Sequence, residues 1–344
     1  MKIIVTHNSP DWDGITSIWL IKRFLAGWEN TALRFVPAGE RVANSKFKIP
    51  ASQRGEQNSK LEEPIERIGD DEVIQVDTGL GPLDHHQTSD QNVCAASLTW
   101  DYVKQVQSSK FNPSASLRSS TPRSLRRSSR GLSPEGLEEA RVQSSKTEKV
   151  KDQEEAIDRI VRIVVDIDHF KEVFWENPTA DYHEFSLISL LDGLKLQKPD
   201  QDEYYVEFGL QCLDGVLHSF ENRIWAEKEI RENGKEFETR FGKGIGFETI
   251  NDTVVKLSQK MEYVMAVRKD PRKGYVRIKA RPSKEGEKGI DLTLMYENLK
   301  KIDPDATWFL HASKKMLLNG TAKNPKMKPT KLTLSEIIKV LEKI

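Results

Sequence analysis

The chain has 344 residues, and its 53 lysines and arginines balance 53 aspartates and glutamates, so its formal net charge is zero. This length suits two domains rather than one. A zero net charge argues against bulk attraction to nucleic acid or to an acidic membrane, although it leaves a local basic face open. Two cysteines without CxxC spacing favour a reducing compartment. Because no apolar run approaches the roughly 18 residues of a membrane span, we expect a cytoplasmic protein that does not enter a membrane.

The first hundred residues alternate short apolar runs with amphipathic helices. Residues 2–6 predict a buried strand, and apolar positions at helical spacing predict a helix over residues 14–25. The runs "LRFVP" and "EVIQVD" predict two further strands, and "AASLTWDYVKQV" predicts a second helix. This order of strand, helix, strand, strand and helix predicts an α/β domain built on a parallel sheet.

The composition changes at residue 108, where serine, arginine and proline replace large apolar residues. A segment of this kind buries too little surface to offset its ordering entropy, so we expect residues 108–150 to be a disordered insertion. Its role stays open between a solvated loop, an arm that touches nucleic acid and a regulatory tail.

The second half of the chain predicts a helical connection followed by a smaller α/β domain. The proline-free stretch "CLDGVLHSFENRIWAEKEIRENGKEFETRF" is typical of one long helix, and "YVMAVRKD" and "YVRIKAR" alternate as strands do. Thr333 and Glu336 have capping-box spacing, which predicts a last helix. We therefore expect a first domain over residues 1–217, a helical linker over residues 218–245 and a second domain over residues 246–344.

Acidic residues and histidines follow two of the predicted strands, at the edge of a parallel sheet where ligands collect. These residues are His7, Asp11, Asp13, Asp77, Asp84, His85 and His86. Clustered carboxylates repel one another unless a cation lies between them. Carboxylate oxygens suit Mg²⁺ and Mn²⁺, and imidazole shifts the preference towards Mn²⁺. Two such ions about 3.5–4 Å apart can hold a phosphate and activate water, and Asp77 is the residue that we expect both ions to share.

The motifs "HNSPDWDGITS", "VDTG" and "DHHQ", in this order, resemble those of the DHH phosphoesterase superfamily. "DWDGITS" is most similar to the RecJ-type exonucleases, and "DHHQ" followed by "AASLTWDYV" is similar to the eukaryotic-type metal-dependent hydrolases with exonuclease activity. The resemblance implies that two metals are bound by His7, Asp11, Asp13, Asp77 and His85. It also implies that His86 contacts the scissile phosphate or helps to protonate the leaving oxygen.

Two more parts of the chain resemble the superfamily. Its fourth motif is an aspartate after a helix, matched here by Asp168 in "VVDIDHF", with Asp166 as the rival. The C-terminal region resembles the DHH-associated substrate domain, with "FLHAS" in place of a glycine-rich loop that carries a histidine. This resemblance implies that His311 meets a substrate phosphate, with Arg277 or Arg281 adding charge-assisted hydrogen bonds.

Together these patterns predict a two-metal phosphodiesterase or exonuclease that hydrolyses short single-stranded oligonucleotides or small nucleotides. The neutral net charge favours small substrates over long strands. A pyrophosphatase and a nucleotide-sensing module of the same fold without turnover are the alternatives. A homodimer also stays open.

Overall fold

The structure is a computed structural model that describes residues 1–42, 63–111, 134–283, 286, 289–321 and 324–343. Over these residues the chain is a mixed α/β protein with two β-sheets and eight α-helices. It divides into two compact units, residues 1–218 and 219–344. No helix in the described ranges combines the length and the apolar character that a membrane span requires.

The first unit contains a four-stranded sheet of order β2-β1-β4-β3. Its strands are β1 (Lys2–His7), β2 (Ala32–Val36), β3 (Ile65–Ile68) and β4 (Asp71–Gln75). Strand β1 lies at the centre and pairs in parallel with both β2 and β4. The carboxyl ends of β1 and β4 therefore meet at one edge of the sheet, as the sequence analysis expects.

The first sheet is mixed, which corrects the prediction of a parallel sheet. Strand β3, which the sequence analysis did not predict, pairs antiparallel with β4. Only Gly69 and Asp70 connect the two strands, and Gly69 has a φ of +65°. A connection this short closes a hairpin, whereas a parallel neighbour needs a crossover of a dozen residues or more.

Five helices begin in the first unit. They are α1 (Trp12–Phe24), α2 (Ala95–Phe111), α3 (Pro134–Asp168), α4 (Leu187–Gln197) and α5 (Asp202–Asn233). Helix α1 packs against both α2 and α3. Its residues are buried from Trp12 to Ile21, the polar ones as well as the apolar ones. Two short 3-10 helices, Lys171–Phe174 and Asp181–Phe185, connect α3 to α4.

Helices occupy both ends of the segment that was predicted to be a disordered insertion, residues 108–150. Helix α2 continues to Phe111, and helix α3 begins at Pro134. Residues 112–133 of the predicted insertion lie outside the described residues.

The predicted helical linker also ends earlier than residue 245. Helix α5 ends at Asn233, and strands β5 (Lys235–Thr239) and β6 (Gly242–Glu248) follow. Gly234 stands between helix and strand, where an added Cβ would lie 2.5 Å from the Ile230 carbonyl oxygen and 2.6 Å from Ile245 Cδ1. Such contacts exclude any side chain at this position, so the chain turns here.

The second unit contains a six-stranded sheet of order β5-β6-β7-β8-β10-β9. Its other strands are β7 (Met265–Lys269), β8 (Val276–Ala280), β9 (Trp308–Leu310) and β10 (Met316–Asn319). One face packs against helices α7 (Thr293–Ile302) and α8 (Leu334–Glu342), and the other against α6 (Thr253–Lys260) and the end of α5. The predicted capping box of α8 is confirmed, because Thr333 and Glu336 exchange both side-chain-to-backbone hydrogen bonds.

Candidate metal centre

Three of the predicted ligands, His7, Asp11 and Asp13, lie between the end of β1 and the first turn of α1. His7 is the last residue of β1, and Asp11 is the N-cap of α1. Asp11 Oδ1 accepts the backbone N–H groups of Asp13 and Gly14, at 2.9 and 3.2 Å. These bonds satisfy two of the donors at the helix N-terminus and fix the carboxylate beside the end of β1.

Asp77 follows β4 and lies between His7 and His85. It has a φ of +53°, a conformation that aspartate adopts more readily than most residues. Its Oδ2 lies 3.0 Å from His7 Nε2. Burial lowers the pKa of His7, but the hydrogen bond to Asp77 and the charges of Asp77 and Asp11 outweigh it and raise the pKa to about 9. Burial raises the pKa of Asp77 to about 6, against the effect of His7.

The imidazole of His85 lies among three carboxylates. Its Nε2 is 3.6 Å from Asp13 Oδ2, 3.8 Å from Asp77 Oδ1 and 3.5 Å from Asp168 Oδ2. His85 is only 9% exposed, and its Nε2 has no hydrogen-bond partner. Asp168 Oδ2 is likewise buried without a partner. Burial lowers the pKa of His85, which favours the neutral imidazole that a metal ligand requires.

Two of these three separations fit a metal site. All three exceed the 2.7–3.2 Å of a hydrogen bond. Two ligand atoms that each lie about 2.0–2.2 Å from one ion are separated by roughly 2.8–3.6 Å at octahedral or tetrahedral angles. The distances to Asp13 and Asp168 fall within this range, and the distance to Asp77 lies slightly beyond it. A buried nitrogen and a buried carboxylate oxygen without partners are costly, and a divalent cation could satisfy both. The donor set therefore fits the ions that the resemblance implies.

Five of the six predicted ligands fall into overlapping groups whose ligand atoms lie within 4.8 Å of one another. These groups are His7–Asp11–Asp77, Asp77–His85–His86 and His85–Asp168–His169, and the predicted ligand Asp13 is in none of them. Asp77 and His85 each belong to two groups. The residues of the described ranges thus offer more than one place for a cation.

Asp13 is held by the N-terminus of α2. Its two carboxylate oxygens accept the backbone N–H groups of Ala95 and Ala96, both at 2.7 Å. Burial and the nearby charge of Asp77 raise the pKa of Asp13 well above its ordinary value. A cation beside this carboxylate would offset both effects.

His86 differs from the other histidines because it is 57% exposed and has a carboxylate partner of its own. Asp84 Oδ1 lies 2.6 Å from His86 Nδ1. Burial lowers the pKa of His86, but the hydrogen bond and the charge of Asp84 outweigh it and raise the pKa. Asp84 also accepts the backbone N–H of Leu80 at 2.7 Å, which fixes the loop. Asp84 has no predicted role, and in the structure it is the partner that orients His86.

The structure also separates the two candidates for the fourth motif. Asp168, the last residue of α3, faces His85, whereas Asp166 pairs with Lys171 at 3.7 Å and is 38% exposed. His169, which the sequence analysis did not assign to the site, places its Nε2 3.7 Å from Asp168 Oδ2 and 3.0 Å from the Val93 carbonyl oxygen. Its position after Asp168 is the signal that could have identified it.

Gly14 gives the cluster its space. A Cβ at this position would lie 2.9 Å from Thr6 Oγ1, 3.2 Å from Asp77 Oδ2 and 3.7 Å from His7 Nε2. An alanine here would therefore overlap Thr6 and press against the Asp77 carboxylate. The glycine in "DWDG" is part of the site although it carries no ligand atom.

The predicted substrate-binding residues lie in the second unit, and the structure brings two of the three to one edge of its sheet. Strands β8 and β9 both pair antiparallel with β10, so they run in the same direction. Arg281 and His311 follow their carboxyl ends. His311 Nδ1 accepts the backbone N–H of Ser313 at 3.1 Å, which leaves the proton of a neutral ring on Nε2.

Arg277 and Arg281 were alternatives, and Arg277 lies four residues before Arg281, near the start of β8. Its side chain forms an ion pair with Asp252, and Arg268 pairs with the same carboxylate at 2.6 Å. Of the two arginines, Arg281 therefore lies at the same edge of the sheet as His311, and the guanidinium of Arg277 has a structural partner.

No protein-family model and no curated protein matches the chain. Among solved structures, it shows a weak similarity to the pGpG-specific phosphodiesterase PggH from Vibrio cholerae. The two are 12% identical, the match covers 94% of this chain and 93% of that chain, and the TM-score is 0.21. A similarity at this level supports no conclusion about the fold or the activity of the chain.

Proposed function

We propose that the chain is a metal-dependent phosphodiesterase that hydrolyses short single-stranded oligonucleotides or small nucleotides. The observation that carries this proposal is the pair of buried atoms without hydrogen-bond partners, His85 Nε2 and Asp168 Oδ2. Both belong to the set of carboxylates and imidazoles at the carboxyl ends of β1 and β4. The resemblance of the three sequence motifs to the DHH phosphoesterases supports the choice of a phosphoester substrate.

We assign the metals to two positions that share Asp77. His7 and Asp11 would complete one position, and Asp13, His85 and Asp168 the other. Divalent cations held there would neutralise the charge of a phosphate and lower the pKa of water. The combination of imidazole with carboxylate favours Mn²⁺ over Mg²⁺.

His86 is the proton donor in this proposal. Its Nδ1–H donates to Asp84, which orients the ring and stabilises the imidazolium form. The proton on Nε2 is then available to the leaving oxygen of the substrate. General acid catalysis of this kind contributes about 10²- to 10⁴-fold to a rate.

Two neighbouring aspartates offer a matched test. Asp168→Asn should abolish Mn²⁺-dependent hydrolysis of labelled oligonucleotides of graded length, because the amide carries no charge to hold a cation. Asp166→Asn, two residues away on the same helix, should retain wild-type activity because Asp166 pairs with Lys171. Equal activity of the two variants, or hydrolysis by the wild type that survives exhaustive chelation, would refute the proposal.

A further inference from the structure

His7 is oriented by a single backbone peptide group. The Asn8 carbonyl oxygen lies 2.8 Å from His7 Nδ1. A carbonyl oxygen can only accept a hydrogen bond, so Nδ1 is the donor. This bond leaves Nε2 to face Asp77, at 3.0 Å. A histidine that binds a metal is commonly fixed in this way, with the other ring N–H donated to a carbonyl or carboxylate.

The same peptide group is held from its other side by Asp202. The backbone N–H of Ser9 donates to Asp202 Oδ1 at 2.8 Å. The Asn8 carbonyl and the Ser9 N–H belong to one planar unit, so fixing the N–H also fixes the direction of the carbonyl. Asp202 is the first residue of α5, and 193 positions separate it from Ser9 in the sequence.

Ser9 needs this support because its backbone is strained. It has a φ of +54°, which is uncommon for a residue with a side chain. Lys195 adds a second restraint, because its Nζ donates to the Ser9 carbonyl oxygen at 3.0 Å. Asp202 thus fixes the N–H of Ser9 and Lys195 fixes its carbonyl group. Together they hold the residue in a conformation that it does not adopt readily by itself.

We propose that Asp202 is a positioning residue for His7, acting through the Asn8–Ser9 peptide group. This inference rests on the proposed function, because it takes His7 as a metal ligand. Asp202 contacts neither the carboxylates of the cluster nor the reacting atoms in this scheme. Its effect should therefore appear in the affinity for the metal and should depend on the presence of His7.

The test measures Mn²⁺ binding to the full chain by the electron paramagnetic resonance signal of the free ion. Asp202→Ala should weaken binding about tenfold, as the loss of a partner of a ligating histidine typically does. Asp202→Asn should bind nearly as the wild type does, because its amide oxygen still accepts the Ser9 N–H. Glu203→Ala is the matched control: it removes the same charge from the same exposed first turn of α5, and it should bind as the wild type does.

A double-mutant cycle separates positioning from a general structural effect. In a His7→Ala background, Asp202→Ala should change the remaining affinity by less than about twofold, since additive losses indicate independent action. A further tenfold loss in that background, or wild-type affinity in Asp202→Ala itself, would overturn the inference while leaving the metal site intact. Absence of Mn²⁺ binding by the wild type would overturn both the inference and the proposed function.

Discussion

At the scale of single residues, the histidines of the cluster differ in chemistry because their surroundings differ. His85 is buried without a hydrogen-bond partner at Nε2, which suits a ligand. His86 is more than half exposed and has its own carboxylate, which suits a proton donor. Both ring nitrogens of His7 have hydrogen-bond partners: Nδ1 contacts the Asn8 carbonyl oxygen and Nε2 contacts Asp77.

The first prediction concerns the proton donor. His86→Gln should lower kcat by about 10²- to 10⁴-fold, because glutamine cannot supply a proton to the leaving oxygen. The affinity for Mn²⁺ should change little. Steady-state kinetics and Mn²⁺ titration of the same preparation provide the check. A loss of metal affinity as large as the loss of kcat would make His86 a ligand instead.

The second prediction concerns pH. The pKa of His7 is raised to about 9, so this ring is protonated near neutral pH in the metal-free protein. Binding through Nε2 requires loss of that proton, so the affinity for Mn²⁺ should rise with pH up to about pH 9, by at most about tenfold per unit. Titrations with Mn²⁺ at about pH 6.5 and about pH 8.5 test whether the affinity rises with pH. His7→Gln should flatten this dependence, and a wild-type affinity that does not vary with pH would contradict the assignment of His7.

At the scale of elements, the N-terminus of α1 concentrates three different constraints in four residues. Asp11 caps the helix, Asp13 contacts the N-terminus of α2, and Gly14 leaves room for Asp77. The short sequence "DWDG" therefore fixes the helix, its neighbour and the cluster together. Substitutions there should affect folding and metal binding at the same time.

Two glycines in helices allow a matched comparison. Alanine forms helices better than glycine by about 1 kcal/mol, so Gly193→Ala in α4, where no atom lies within 4 Å of the added Cβ, should stabilise the protein by about 0.5–1 kcal/mol. Gly14→Ala should instead destabilise it by about 1–3 kcal/mol, because the added Cβ overlaps Thr6 and crowds Asp77. It should also weaken Mn²⁺ binding. Denaturant unfolding and Mn²⁺ titration measure both effects, and a stabilising Gly14→Ala would show that the site has spare room.

At the scale of the whole molecule, the sequence predicted features that depend on local patterns better than contacts between residues far apart in the chain. Asp77 and His7 could be placed at one edge because parallel strands end together. Strand β3 was missed because "IERI" has only two apolar residues and its hairpin turn was not recognised. The contact between Ser9 and Asp202 could not be inferred, since no local pattern links residues so far apart. The ion pair of Arg277 with Asp252 could not be inferred either, because a resemblance gives residue types without giving their partners.

Substitutions in the first unit should change the affinity for Mn²⁺, and substitutions in the second unit should change KM. His311→Ala in the second unit should leave Mn²⁺ affinity unchanged, because His311 is not among the clustered ligands. It should raise KM for oligonucleotides by about 10- to 100-fold, the order expected for a lost hydrogen bond to a charged phosphate. Kinetics on an oligonucleotide panel with parallel Mn²⁺ titration distinguish these effects. An unchanged KM would remove His311 from the substrate site.

The measurement that most directly tests the account is hydrolysis of labelled oligonucleotides by the full chain after exhaustive chelation, followed by stepwise addition of Mn²⁺. We predict no hydrolysis in chelator and recovery as Mn²⁺ binds, with no recovery in Asp77→Asn, which lacks the carboxylate shared by two of the three clustered groups. Full hydrolysis by the metal-free wild type, or full recovery in Asp77→Asn, would contradict the central claim that this cluster is the catalytic metal centre.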